Sequence, residues 1–202
     1  MNGLVPGALA ASYLIGSVPT GLVLVRLLKG EDIRQHGSGN IGTVNVFRIA
    51  GTPIAAVVLA VDIVKGLVPV LLAARLGTGP WVTMLCGLAA IVGHNWSVFL
   101  GFRGGKGIAT SFGVLVGLSP AAALAGAAVW ILVVAVTRYS SLGSLLAVLA
   151  VPIVLWLLGQ PQAYVVFGVV AAVFAFYRHW GNIRRLVAGT ELRITDHEPP
   201  KS

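Results

Sequence analysis

The chain has 202 residues, of which 57% are apolar and only 10% charged, against roughly 25% charged in a soluble domain. So few charges cannot cover a water-facing surface, which excludes a soluble globular enzyme and leaves much of the surface to face lipid. The net charge of +8 comes from 14 Lys and Arg against 6 Asp and Glu; these bases sit in short segments between apolar runs, which fits cytoplasmic-side charge and anionic ligands rather than nucleic acid.

In chain order, the apolar runs reach or approach the roughly 20 residues that span hydrocarbon as a helix. They cover residues 4–28, 53–74, 81–100, 142–158 and 163–177. The first base, Arg26, follows the first run instead of preceding it, so that run reads as a retained span and not a cleaved leader. Asp62 and Lys65 lie inside the second run, where charges are costly and usually face the bundle interior or each other; an internal ion pair and a pocket-lining role both fit. The single cysteine, Cys86, is in an apolar run and gives no disulfide framework.

The stretch from Ile108 to Val136 is too long for one ordinary span and contains Gly117-Leu118-Ser119-Pro120, a turn signal. Dividing it into spans 108–118 and 120–136 puts nearly every other base, from Arg26 through Arg138 to Lys201, on one side and leaves Arg75 opposite. The expectation is an all-α polytopic membrane protein, a single domain over 1–202 with seven transmembrane helices, the N-terminus outside and the C-terminus cytoplasmic. The fourth helix, about 11 residues or roughly 17 Å long, must then be tilted or start deep in the bilayer.

Three polar islands fall on the basic side, at 37–48, 94–110 and 178–191. In the first, Gly37, Gly39 and Gly42 allow close backbone approach to an anion, Ser38, Asn40 and Asn45 add polar side chains, and Arg48 supplies a planar fork for phosphate. The loop leads into a helix start. The second runs from His94-Asn95-Trp96 to Arg103-Gly104-Gly105-Lys106-Gly107, where glycines around two bases suggest a phosphate loop that is not of the Walker type. A hydrogen-bonded structural role suits His94. In the third, Arg178-His179-Trp180-Gly181-Asn182 places Arg178 and Asn182 on one helical face, and Glu191 lies among bases with which it can pair. His36 and His197 lie in surface segments.

These three motifs, in this order, resemble the acyl-phosphate:glycerol-3-phosphate acyltransferases of bacterial membranes, the PlsY family, over essentially the whole chain. The resemblance implies acyl transfer from acyl-phosphate to the 1-hydroxyl of glycerol-3-phosphate, giving lysophosphatidic acid and phosphate, in the bacterial inner membrane. It places Ser38, Arg48, the glycine loop with Lys106, His179 and Asn182 at the active site, assigns the middle loop to the phosphate of glycerol-3-phosphate, and makes Glu191 chiefly structural. Ser38, His179 and Asn182 are the candidates to orient carbonyl and hydroxyl. Thr43-Val44 stands where the family usually reads Ala-Thr, and Arg103 replaces a usual Lys. No cofactor is implied, and a lone Asp62 within the spans does not suggest a metal. The partners expected are the two phosphate-bearing substrates and membrane lipid; oligomeric state and acyl-chain preference are left open. The alternative from another class is a transporter or channel for an organic phosphate, which would place cationic groups at mid-membrane depth.

Overall fold

The computed structural model describes residues 4–196 and is helical, with no strand among them. Its helices are α1 (Leu4–Ser17), α2 (Thr20–Lys29), α3 (Thr43–Ala50), α4 (Thr52–Arg75), α5 (Gly79–Asn95), α6 (Ile108–Leu118), α7 (Pro120–Thr137), α8 (Ser140–Leu157), α9 (Gln162–Arg178) and α10 (Trp180–Val187). His197 and Lys201 lie outside the described residues. An apolar chain in lipid has no water to satisfy its backbone, so each run closes its hydrogen bonds internally as a helix. Five stretches among the described residues are long and apolar enough to cross a membrane, and a sixth if α9 and α10, bent by 63° at their junction, form one span.

Breaks fall where the sequence supplies them. Pro19 ends the first run's hydrogen-bond ladder between α1 and α2, and the Val18 carbonyl at this break accepts from the Thr20 N–H at 3.0 Å and from the Lys65 ammonium at 2.9 Å. The same ammonium lies 2.7 Å from the Asp62 carboxylate, so the charges expected inside the second span form an ion pair, both members buried. The turn at Ser119-Pro120 divides α6 from α7 as the sequence suggested.

The short α6 owes its position to two close approaches. A side chain at Gly66 of α4 would run into the Thr110 carbonyl of α6, and one at Gly113 of α6 into the Ile63 carbonyl of α4. Without side chains in between, the helices pack backbone to backbone, as small residues allow in membranes. Ile63 and Gly66 are in the middle of the 24-residue α4. Thus α6 begins level with the centre of α4, and the loop before it reaches down into the bundle. Buried Val70, Ile91, Val114, Leu118, Leu155 and Phe167 form the main core between α4, α5, α6, α8 and α9. Outward-facing Leu124 and Val136 are 71% and 84% exposed, a surface suited to lipid.

Gly66→Val should push α4 and α6 apart and cost about 1–3 kcal/mol. It should lower the unfolding temperature of the purified protein in detergent, whereas Gly7→Ala, where nothing lies within 4 Å of an added Cβ, should leave it unchanged.

Candidate active site

The loop before α3 is organised by one amide. Asn45, 1% exposed, donates through Nδ2 to the carbonyls of Asn40 at 2.9 Å and His36 at 3.0 Å, and accepts from the Ser38 N–H at 2.9 Å. Asn45, expected among the phosphate-binding groups, borders the cavity described below, but both ends of its amide are committed to shaping the loop. Gly37 and Gly39 lie behind the turn with left-handed backbones; Ser38, Asn40 and Gly42 line a cavity. Arg48, at the end of α3, lines the same cavity and donates to the carbonyls of Leu192 at 3.3 Å and Arg193 at 2.9 Å, tying in the C-terminal segment.

The middle loop departs further from expectation. The amides of Gly104 and Gly105 donate to the carbonyls of Asn95 and His94, at 3.1 and 3.0 Å. On the other side, Arg178 donates through Nε to the Gly105 carbonyl at 2.9 Å and through Nη2 to the Gly104 carbonyl at 2.7 Å. These two glycines are therefore held at both polar ends and do not cradle an anion with their amides. Their lack of side chains serves packing, since an added Cβ would meet the end of α5 in each case. Arg103 is exposed and outside the cavity wall. What remains for an anion is Lys106 itself with the start of α6: Lys106, Gly107, Ile108 and Ala109 line the cavity. The first turn of a helix presents N–H groups that have no intrahelical acceptor, so this end favours negative charge.

At the third motif the chain turns sharply at His179, so Arg178 and Asn182 do not share a helical face as the sequence suggested. Arg178 reaches the glycine loop, and Asn182 accepts from the Lys106 ammonium at 2.6 Å. The Asn182 Nδ2 group in turn donates to Glu191 Oε1 at 2.5 Å. Ser141 donates to the same oxygen at 2.7 Å, and Arg185 to Oε2 at 2.8 Å. Burial alone would raise the Glu191 carboxyl, but the three bonds from Ser141, Asn182 and Arg185 hold it below its ordinary value. Burial pushes the Lys106 ammonium down to about 8; Glu191 opposes the shift, and Arg185, Arg48 and Arg178 add to it.

His179 Nδ1 lies 2.7 Å from the Ala175 carbonyl. A carbonyl only accepts, so Nδ1 carries the proton and the neutral ring keeps a lone pair on Nε2. His179 and Asn182 are buried in the cavity wall. His94 is also buried there, with Nδ1 at 4.0 Å from Asp62, and it makes no hydrogen bond through Nδ1 among the described residues, contrary to the expected role. Sequence reasoning missed Ser141, the Arg178 clamp and the contribution of Leu192 and Ile194 to the wall. The serines at 140, 141 and 144, opening an otherwise apolar run, were the available signal for the first.

The cavity encloses about 590 Å³. Its polar head holds Ser38, Arg48, Lys106, His179, Asn182 and Glu191; from there it runs between α4, α6, α7, α8 and α9 along an apolar path. Leu59 and Ile131 on its flank are 41% and 58% exposed, so it opens sideways toward lipid. Such a space suits an amphiphile with an anionic head.

A family model described as glycerol-3-phosphate acyltransferase matches residues 7–189. The glycerol-3-phosphate acyltransferase of Desulforudis audaxviator is 50% identical over 91% of this chain and 92% of its own. That of Nitrobacter winogradskyi is 48% identical over 96% of each. The crystal structure of PlsY, an integral membrane glycerol 3-phosphate acyltransferase, in its glycerol 3-phosphate form matches with a TM-score of 0.90 at 38% identity, covering 94% of both chains. Its lysophosphatidic acid form matches at 0.88. With its cationic head, its apolar path and this likeness over nearly its full length, the chain belongs to the glycerol-3-phosphate acyltransferase family.

Proposed function

We propose that this multi-pass membrane enzyme transfers an acyl group from acyl-phosphate to the 1-hydroxyl of glycerol-3-phosphate, yielding lysophosphatidic acid and phosphate for phospholipid synthesis. One observation carries the reading: a single cavity joins a head containing Lys106, Arg48 and Arg185 to an apolar path open to lipid. Two anionic substrates, one of them tailed, need that combination. The relatives' names and the substrate and product forms of PlsY support it.

The donor is already activated, so the protein needs no covalent nucleophile; it has to position the reactants and stabilise negative charge. Lys106 and the N-terminal turn of α6 hold the phosphate of glycerol-3-phosphate, and Arg48 with the Ser38 loop faces the acyl-phosphate head. The glycerol oxygen attacks the acyl carbonyl carbon, and the bond from that carbon to the phosphate oxygen breaks. The leaving phosphate keeps the electron pair and takes the hydroxyl proton. His179 Nε2 accepts a hydrogen bond from the attacking hydroxyl and so orients it, while Asn182 fixes the Lys106 ammonium through its link to Glu191. Asn40, Gly42 and Gly107 complete the wall around the heads.

The topology that brings these groups together has seven crossings, with α6 and α7 counted separately, the N-terminus outside and the C-terminus in the cytoplasm. The chain forms one domain in the bacterial inner membrane, and the polar head faces the cytoplasmic pool of glycerol-3-phosphate. A conduit for organic phosphate is less well supported, because the lining helices stop contributing to the cavity at one level instead of leading through.

The deciding assay supplies purified protein in lipid with acyl-phosphate, acyl-CoA or an acyl carrier. Phosphate release that depends on glycerol-3-phosphate, seen with acyl-phosphate alone, is the expected result; turnover with only the other donors would overturn the donor assignment. Lys106→Ala should lose about a hundredfold or more in kcat with an unchanged unfolding temperature. The pH profile gives a further check. With a free-enzyme value of about 8 for Lys106, the cation is present below that pH and lost above it. The kcat/KM for glycerol-3-phosphate should therefore fall through about pH 8, and Lys106→Arg, whose charge persists, should remove that alkaline limb.

A further inference from the structure

The apolar path ends at one level on three helices. On α8 the cavity is lined by Ser140, Ser141, Ser144, Ala147, Val148 and Val151, one face at helical spacing. The next residue on that face, Leu155, is fully buried in the core and takes no part in the lining. On α6 the lining stops at Leu115 while Leu118 belongs to the core. On α9 it stops at Phe167, itself 1% exposed, with Ala163 packed beyond. Gly126 of α7 meets this level from the facing side: a Cβ there would come within 3.2 Å of Val151 Cγ2. The walls above are kept open by the small side chains of Ala127, Ala147 and Ala171, while Gly168 lets α9 approach Pro152 of α8.

We infer that the floor formed by Leu115, Gly126, Val151 and Phe167 is the element that sets acyl-chain length. The inference rests on the acyl-phosphate reading above. Ser141 is tied to Glu191 in the polar head, and ten residues of α8 separate it from Val151, a rise of about 15 Å. An extended chain of C–C bonds of about 1.5 Å advances about 1.3 Å per carbon. The floor is thus reached by a chain of about 12 carbons. In a bilayer the tail gains nothing by leaving lipid for an equally apolar groove, so selection acts through fit. A shorter tail leaves an unfilled end, and a tail too long for the path must leave it sideways on the head side of the floor, past Ile131, into lipid.

The test measures kcat/KM for the full chain in lipid nanodiscs with even-numbered acyl-phosphates on both sides of that length. Each variant is divided by wild type at every length, which cancels partitioning into the membrane. Wild type should rise to about 12 carbons and then level off. Val151→Phe should shift the break shorter by two or more carbons, with about a fivefold loss at the original break and less than about twofold at the shortest chains. Gly126→Ala, which adds one methyl to a helix, should shift it in the same direction by less. Turnover of the shortest chains reports folding within the same assay. A ratio independent of chain length in both variants would overturn the floor as a ruler while leaving the acyl-phosphate activity standing; absence of wild-type turnover at every length would instead remove the activity on which it rests.

Discussion

A cation placed below the membrane surface must be kept charged and aimed, and the contact between Lys106 and Asn182 is how this fold does so. Burial lowers the ammonium's affinity for its proton, and three arginines nearby work in the same direction. The Asn182 carbonyl at 2.6 Å gives the charge a fixed acceptor, and the amide's other end is held by Glu191. The carboxylate is itself fixed by Ser141 of α8 and by Arg185, on the same helix as Asn182. A chain of hydrogen bonds thereby joins the middle loop to α10, the C-terminal segment and α8. Its order matters, because an amide flip at Asn182 would present N–H to an ammonium and an oxygen to a carboxylate.

The depth of that contact follows from packing on the other side of the loop. Because Gly66 and Gly113 let α4 and α6 touch through their backbones, α6 starts at mid-height and its N-terminal turn opens into the bundle. The Gly104-Gly105 segment must descend to meet it. Its amides are fixed by the end of α5 and its carbonyls by Arg178, whose guanidinium also lies over the Trp96 ring at 5.7 Å. Lys106 is the residue at which this anchored segment delivers charge into the cavity. The same descent explains why α6 needs only 11 residues: it packs along the second half of α4 alone.

Much of the scaffold was legible in the sequence because lipid imposes a simple code of apolar run length, turn residues and asymmetric bases. That code marked the apolar runs that form helices and the division at Ser119-Pro120; for Asp62 and Lys65 it left an ion pair and a pocket-lining role open, and the structure shows the pair with Asp62 also in the cavity wall. The three islands were legible as a site because Gly, Asn and His are unusual as mere connectors on a membrane face. Roles within the islands were harder to read. A glycine required because its amide meets a ligand and one required because its Cα meets a neighbouring backbone look alike in sequence; Gly104 and Gly105 are of the second kind. Asn45 has the polarity of a ligand-binding residue, but its capacity is taken up by carbonyls that only the folded loop brings near. The bend at His179 was hidden because Arg178 to Ile183 contains no proline, and its single glycine, Gly181, falls inside α10.

The departures at Thr43-Val44 and Arg103 have different physical weight. Arg103 is exposed and outside the cavity, so exchanging one base for another there alters the surface and not the head. Val44 lines the cavity and presents methyl groups, while the hydroxyl has moved to Thr43, whose Oγ1 is buried without a hydrogen-bond partner among the described residues. Ser38, Asn40, Thr43 and Asn45 all border the cavity; with the Thr43 hydroxyl buried and the Asn45 amide bonded to backbone groups of the loop, Ser38 and Asn40 are the polar side chains of the loop left to face it. Recognition by the first motif in this chain therefore falls to those two side chains and Arg48; the first two are placed by the buried amide of Asn45, which binds the Ser38 N–H and the Asn40 carbonyl, and Arg48 is placed by the carbonyls of Leu192 and Arg193.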